Sequence, residues 1–253
     1  MPAPEVLLED DAAVYDYYLR HQQNRWKALA SYAVLARRYR PRVSFAEGAK
    51  AGLRALVRSG RPVIYAINHL STSDPYTVAA TAWRSPLRGK IGRVRVLAKD
   101  ELFLDPEQRR KVDMMGGIPV FRGKDHGIRA VNAAGQRMMD VCAQRLATGD
   151  HLAIFPEGTC NDVDPTAVQS IGSGIGHIAF RAAKLDAPPA LVALGMSYGP
   201  RADPKVEPSG AEVVSASVYF RAPVAELPQR PGDIARFVKE ELQHAVDGAV
   251  ARY

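Results

Sequence analysis

The feature that most constrains the fold is a short apolar run that stops abruptly at a polar turn. Residues 62–67 are apolar and rich in β-branched side chains, which is typical of a buried strand. The polar residues 68–74 that follow cannot continue such a strand. Pro75 suits the first turn of a helix, and Asp74 before it is therefore predicted to be the N-cap. This stretch predicts a strand, a turn and then a helix.

Two side chains on this turn have the types and spacing of a catalytic pair. His69 and Asp74 are separated by four residues. On a turn, the Asp74 carboxylate can fold back onto the His69 imidazole, fixing its tautomer and raising its basicity. The pattern indicates a general base and its orienting carboxylate. A polar loop can also hold both residues without any chemistry, so the pair alone does not decide between these alternatives.

A second part of the sequence predicts that the sheet is parallel. Residues 129–146 have apolar side chains at helical spacing, and a strand-length apolar run at residues 151–155 follows them. A strand, a helix and a strand in this order form a right-handed crossover, which places both strand ends at one edge of the sheet. Ligands of open α/β sheets bind at that edge. Further strands are predicted at residues 94–98, 118–121, 191–196 and 213–220, and helices at 46–58, 76–83, 109–111 and 232–250.

The domain organisation follows from length and composition. The 253 residues have an apolar fraction of 47% without a compositional break, which favours a single α/β domain with a mainly parallel central sheet flanked by helices. Pro119 restricts its strand to an edge of that sheet. We divide the chain into an N-terminal helical membrane-contact segment, residues 1–60, and the α/β domain proper, residues 61–253. Residues 200–210 contain several prolines and are the expected loop.

The N-terminal segment is expected to be amphipathic. Residues 12–40 predict one helix that carries basic side chains together with Tyr15, Tyr17, Tyr18 and Trp26. Cations and amphipathic rings both favour the headgroup layer of a membrane. The alternative is a helix that simply packs on the domain.

The net charge of +7 indicates an anionic partner: a phosphorylated small molecule, an anionic membrane surface or nucleic acid. We expect no nucleic acid partner, because the sequence has no recognised reading motif. Cys142 and Cys160 match no metal-binding spacing, so no metal site is expected. There is no signal-like N-terminus and no run of about 18 apolar residues. We therefore expect a peripheral protein at the cytoplasmic face of a membrane.

Four ordered segments resemble the glycerolipid acyltransferase family, which includes lysophosphatidic acid and glycerol-3-phosphate acyltransferases. They are Asn-His-Leu-Ser-Thr-Ser-Asp at residues 68–74, Gly-Ile-Pro-Val-Phe-Arg at 117–122, Phe-Pro-Glu-Gly-Thr at 155–159 and Leu-Val-Ala-Leu at 191–194. The first contains the His-x4-Asp motif. The resemblance covers roughly residues 62–200 and rests on the order and spacing of the segments.

The resemblance implies transfer of a fatty acyl group from acyl-CoA or acyl carrier protein to lysophosphatidic acid or glycerol-3-phosphate in phospholipid biosynthesis. No cofactor is implied beyond the acyl thioester as co-substrate. His69 would be the general base, and Asp74 would orient it and stabilise its cationic form. Arg122 would bind the phosphate of the acceptor. The other substrate-binding positions would be Asn68, Ser71, Gly117, Ile118, Glu157, Gly158 and Thr159.

The chain departs from the family pattern at two positions. Cys160 stands where the motif usually has arginine, and Ser173 stands where a lysine is common. Because two cations are missing, another lysophospholipid or a glycolipid acceptor and an inactive basic membrane-binding protein stay open as alternatives. A thioester hydrolase that uses water at the same base is a further alternative. The missing charge has three candidate replacements: Lys124, Arg129 and Arg181. Cys160 shows no basic neighbour in the sequence and is not expected to be a nucleophile.

Overall fold

The computed structural model describes residues 3–199 and 215–253. In this part of the chain, seven strands form one sheet with helices on both faces. The strands are β1 (Arg42–Phe45), β2 (Val63–Ile67), β3 (Val94–Lys99), β4 (Gly117–Val120), β5 (His151–Ile154), β6 (Ala190–Ser197) and β7 (Ser217–Phe220). The helices are α1 (Asp11–Arg20), α2 (Arg25–Tyr39), α3 (Ala49–Ser59), α4 (Asp74–Trp83), α5 (Pro106–Met114), α6 (Gly123–His126), α7 (Asn132–Ala147), α8 (Gly174–Lys184) and α9 (Pro231–Val250). The predicted single-domain α/β fold is confirmed.

The sheet order places β2 at the centre. The order is β1-β7-β6-β2-β5-β3-β4, and the strands from β6 to β4 are mutually parallel. β7 is antiparallel to β6, and β1 is parallel to β7. β4, which contains Pro119, lies at an edge as its proline predicts. The loops that follow β2, β3, β4, β5 and β6 therefore lie side by side at one edge of the sheet.

Helices cover the two faces of the sheet in separate groups. Side chains of α1, α7, α8 and α9 pack on one face, and side chains of α2, α3 and α4 pack on the other. The contact of α9 with β6 is close, since a Cβ at Gly195 would lie 2.0 Å from the carbonyl oxygen of Ala245. The expected closing helix thus covers the sheet. No helix in residues 3–199 or 215–253 is both long enough and apolar enough to cross a bilayer.

The N-terminal region differs from its prediction in three ways. The single helix expected over residues 12–40 is broken into α1 and α2, and the side chain of Asn24 caps α2 by accepting from the Lys27 N–H at 3.0 Å. Tyr15 and Tyr18, which we placed at a membrane surface, are buried in the core. The sequence analysis also missed β1, which joins residues 1–60 to the same sheet as the rest of the chain. Trp26 on α2 is 80% exposed.

A buried ionic cluster ties α1 to the sheet. The carboxylate of Asp150 accepts from Arg95 Nε at 2.8 Å and from Arg145 Nε at 2.7 Å. Arg145 also donates to the carbonyl oxygen of Leu19 in α1, at 2.7 Å. All three charged side chains are nearly inaccessible. One carboxylate therefore compensates two buried guanidinium groups.

Two predictions concern residues 200–214. The expected loop at residues 200–210 lies outside the described residues. The strand expected at residues 213–220 is described only in part, as β7.

Candidate active site

The turn after β2 brings His69 and Asp74 into contact. His69 Nδ1 lies 2.9 Å from Asp74 Oδ2, and Asp74 is fully buried. The same oxygen accepts from the backbone N–H groups of Leu70 at 2.5 Å and Ser71 at 2.9 Å. The predicted N-cap role of Asp74 is wrong, because α4 begins at Asp74 and its carboxylate folds back onto the preceding loop. The carboxylate is thus committed to the histidine turn.

The other oxygen of Asp74 is held from β6. The hydroxyl of Tyr198, one residue beyond the end of β6, donates to Asp74 Oδ1 at 2.8 Å. Tyr198 also lies 3.0 Å from the hydroxyl of Thr77 on α4. Because Asp74 accepts, Nδ1 of His69 carries the proton, and the neutral ring presents its lone pair at Nε2. The sequence analysis missed Tyr198.

The His69 ring lies between an aromatic side chain and a thiol. The Phe155 ring stacks on it, with centroids 4.4 Å apart and planes at 26°. Cys160 Sγ lies 3.5 Å from Nε2. Burial lowers the pKa of His69, but the interactions with Asp74 and Cys160 outweigh burial and raise it to about 9. The expectation that Cys160 has no basic neighbour is therefore wrong, because the fold supplies one from a distant part of the sequence.

The loop after β5 holds the backbone of His69 on both sides. Glu157 Oε1 accepts from the His69 N–H at 2.8 Å, and Oε2 accepts from the Gln169 N–H at 3.0 Å. The N–H of Asn161 donates to the His69 carbonyl oxygen at 2.6 Å. Burial raises the pKa of Glu157, and the two backbone hydrogen bonds oppose this. Glu157 thus fixes the position of His69, while Gly158 and Thr159 next to it are exposed.

Asn68 and Ser71, both expected to contact substrate, are buried in the turn. The Asn68 amide donates to the carbonyl oxygen of Met196 at 3.0 Å and accepts from its N–H at 2.7 Å. Ser71 Oγ lies 3.1 Å from the hydroxyl of Ser73. Both side chains therefore shape the loop that carries His69.

Gly117 and Ile118 lie inside β4 and are buried. A Cβ at Gly117 would lie 2.3 Å from Cγ1 of Val112, so this glycine allows α5 to pack closely. β4 is three strands from β2, a separation of about 14 Å at the usual strand spacing. The structure does not bring these two residues to His69.

Arg122 follows β4 and is already paired. Its Nε and Nη2 atoms each lie 2.6 Å from Asp125 Oδ2, and its Nη1 atom is buried without a hydrogen-bond partner among the described residues. Of the other cations, Lys124 and Arg129 are exposed. Arg181 is engaged by Asp140 on α7 at 2.6 Å. Ser173 precedes α8 and makes no capping hydrogen bond.

Phe155, whose ring stacks on His69, is one of the residues that line an apolar cavity. This cavity lies between the sheet and the helices α2 and α4. Its lining is almost entirely apolar and includes Tyr32, Ile67, Pro75, Ala79, Met115 and Phe155. Residues 3–199 and 215–253 contain no cluster of three histidine, cysteine, aspartate or glutamate side chains that could hold a metal ion.

Comparison with known proteins gives one family. The model of the acyltransferase family matches residues 31–194, which is well over half of the chain and includes the turn after β2 and the loop after β5. No curated protein matches the chain significantly.

Proposed function

Because the chain belongs to the acyltransferase family, we propose that it moves a fatty acyl group from acyl-CoA or acyl carrier protein to a hydroxyl of lysophosphatidic acid or glycerol-3-phosphate. The step would belong to phospholipid biosynthesis. The observation that carries the proposal is the pairing of His69 with the fully buried Asp74 at the ligand-binding edge of the sheet. A pair of this geometry can accept a proton from a hydroxyl.

The proposed reaction is a direct transfer. His69 Nε2 removes the proton of the acceptor hydroxyl while the oxygen attacks the thioester carbonyl. Asp74 stabilises the imidazolium that forms. When the tetrahedral intermediate collapses, the C–S bond breaks and the proton on His69 passes to the leaving thiolate. The products are the acylated acceptor and the free thiol of the carrier.

We assign the acyl chain of the donor to the apolar cavity beside Phe155. Burying a chain there removes apolar surface from water, which supplies about 0.8 kcal/mol for each methylene group. Because Phe155 contacts both the cavity and the His69 ring, a chain in the cavity would be aligned with the base. Branched or bulky chains are expected to react more slowly than straight ones.

For the acceptor phosphate we assign Arg122, with Lys124 as its neighbour. A phosphate would have to displace the Asp125 carboxylate from the guanidinium group, and it could then also supply a hydrogen-bond acceptor to the buried Nη1 atom of Arg122, which has none among the described residues. The present pairing with Asp125 also favours the second candidate, an acceptor without a phosphomonoester, such as another lysophospholipid or a glycolipid. In that case Arg122 would keep its partner on α6.

We also propose that α2 rests on an anionic membrane at the cytoplasmic face. Trp26, Ala30 and Val34 are exposed at intervals of four residues, so they form one apolar stripe. Exposed cations flank that stripe: Arg25, Lys27, Arg37 and Arg38. Such a face binds a headgroup layer by apolar insertion and by charge attraction.

The test is acyl transfer from labelled acyl-CoA to a panel of acceptors: glycerol-3-phosphate, lysophosphatidic acid, other lysophospholipids, a glycolipid and none. His69→Ala should lower the transfer rate by about a hundred- to ten-thousandfold, the usual effect of losing a general base. His244→Ala, which removes an exposed histidine of α9, is the matched control. A folded His69→Ala variant with full activity would refute the mechanism.

The panel also separates the alternatives. Arg122→Ala should raise KM for phosphomonoester acceptors only, whereas Arg236→Ala, at an exposed site on α9, should leave it unchanged. Release of free fatty acid without any acceptor would identify a thioester hydrolase. Salt-sensitive binding to anionic vesicles without turnover would identify an inactive membrane-binding protein.

A further inference from the structure

The thiol of Cys160 touches the ring of the proposed base in an unusual direction. Its sulfur lies 3.5 Å from Nε2 and 3.8 Å from Nδ1 of His69. A partner in line with the Nε2 lone pair would be much farther from Nδ1, so the sulfur lies over the ring face. Phe155 already covers one face, which leaves the other for the thiol. The thiol therefore does not block the Nε2 edge of the ring, where the acceptor hydroxyl would bind.

Backbone hydrogen bonds of the loop, rather than a bond made by the thiol, position Cys160 next to the His69 ring. The N–H of Asn161, the residue after Cys160, donates to the carbonyl oxygen of His69 at 2.6 Å. Asn161 is 2% exposed, and its amide nitrogen donates to the carbonyl oxygens of Asp164 and Ala167, each at 2.7 Å. The loop therefore holds the thiol against the imidazole.

Cys160 is also the accessible cysteine of the two in the chain. It is partly exposed, whereas Cys142 is 1% exposed in α7 and burial raises the pKa of its thiol to about 12. A protonated imidazole beside a thiol favours the reactive thiolate. Oxidants select cysteines by thiolate character and exposure. Its contact with an imidazole and its partial exposure both distinguish Cys160 from Cys142.

We propose that Cys160 is a modification site at which hydrogen peroxide forms a sulfenic acid, and that this modification disables His69. The thiolate attacks one peroxide oxygen, so an S–O bond forms and the O–O bond breaks. Hydroxide leaves and takes up a proton to become water, while the sulfur gives two electrons to the peroxide. The new S–OH group can bond to Nε2, where the acceptor hydroxyl must bind. Because Cys142 is buried, the sulfenic acid is returned to the thiol by an external thiol.

The consequence for activity rests on the proposed function of His69, but formation of the adduct does not. The experiment therefore measures both on parallel portions of each treated protein. Wild type, Cys160→Ala and Cys142→Ala are treated with hydrogen peroxide, trapped with dimedone and weighed by intact-mass spectrometry. Acyl transfer is measured before treatment, after treatment, and after addition of dithiothreitol to samples that were not trapped. The ratio of treated to untreated rate is compared within each variant, which also corrects for methionine oxidation.

We expect one dimedone adduct in wild type and in Cys142→Ala, and none in Cys160→Ala. The treated wild type should lose about a hundredfold in rate, as for a blocked general base, and recover with dithiothreitol. Treated Cys160→Ala should keep its untreated rate. His69→Ala should form the adduct more slowly than wild type, which tests the thiol–imidazole contact even if the chain transfers no acyl group.

Three results would overturn the proposal: no adduct on Cys160 in folded protein, an adduct without loss of rate, or equal inhibition of Cys160→Ala. A folded Cys160→Ala variant that is inactive before treatment would also overturn it, because the thiol would then take part in the transfer itself. Absence of transfer in untreated wild type would instead refute the proposed function. The mass measurement would still show whether Cys160 forms the sulfenic acid.

Discussion

Replacing Asp74 by asparagine tests the central electrostatic relation of the site. The pKa of His69 is raised from 6.5 to about 9 although burial opposes this. The difference corresponds to about 3 kcal/mol in favour of the imidazolium, supplied by Asp74 and Cys160. Asparagine has almost the same shape but no charge. The pKa of His69 in Asp74→Asn should therefore fall to about 6.5 or below.

The measurement is an NMR titration of ring-labelled histidines, with the His69 signal assigned by its loss in His69→Ala. It does not require an active enzyme, which matters because the wrong tautomer should also lower turnover by about ten-thousandfold. In wild type, kcat/KM for acyl transfer should rise with pH up to about 9, since only the neutral ring accepts a proton. Asp16→Asn, which changes an exposed carboxylate on α1, is the matched control.

The same shift predicts a stability effect with a definite sign. The pKa of His69 is higher in the folded state, so its contribution to stability is fully present below pH 6.5 and is lost as the pH rises through about 9. A wild-type His69 titration near 6.5, or an unchanged midpoint in Asp74→Asn, would refute the reasoning.

Three further predictions concern other described residues. Asp150→Ala should lower the free energy of unfolding by about 3–5 kcal/mol in urea denaturation, because it leaves two buried guanidinium groups without their carboxylate. Tyr198→Phe should lower kcat about tenfold or less with KM unchanged, since it removes one hydrogen bond to Asp74. Burial lowers the pKa of His151 to about 4, and its Nδ1 accepts from the Val63 N–H. Stability measured by denaturation should thus fall by up to about 3 kcal/mol as the pH drops from 6.5 to 4.

Each of the three predictions has a matched control substitution at a surface site or on another helix. Asp16→Ala should cost less than about 1 kcal/mol, because its ion pair is exposed. Tyr17→Phe removes a hydroxyl that binds His21 and should leave kcat unchanged. His151→Gln should flatten the pH dependence of stability, whereas His244→Gln should retain it. Equal effects in a variant and its control would count against the corresponding explanation.

The sequence predicted those parts of the fold that local patterns encode. The run at β2 is apolar because that strand is central and buried on both faces. Pro119 correctly placed β4 at the edge. The contact between His69 and Asp74 was predictable because both lie on one turn. In each case the residues that determine the structural feature lie within a few positions of it in the sequence.

Features that depend on distant partners were missed. β1 has four half-exposed or exposed residues, and its partner β7 lies about 170 positions later. In the sequence, Arg95 is one of many basic residues and gives no sign of burial. In the structure it is buried, and the carboxylate of Asp150 compensates its charge. Tyr198 and Cys160 reach the turn that carries His69 only because β6 and β5 flank β2 in the sheet. No local spacing carries that information.

Neighbouring positions in the loop after β5 tolerate substitution to different degrees, and this difference matters for evolution and for protein engineering. The Glu157 carboxylate accepts from the His69 N–H, and the Asn161 N–H donates to the His69 carbonyl oxygen. Disrupting either hydrogen bond would displace His69. Gly158 adopts a positive φ of 70°, which favours glycine at that position. Thr159 is exposed between these anchors and is free to vary. If the proposed function holds, a library at Thr159 would vary the surface beside His69 without changing the contact between His69 and Asp74.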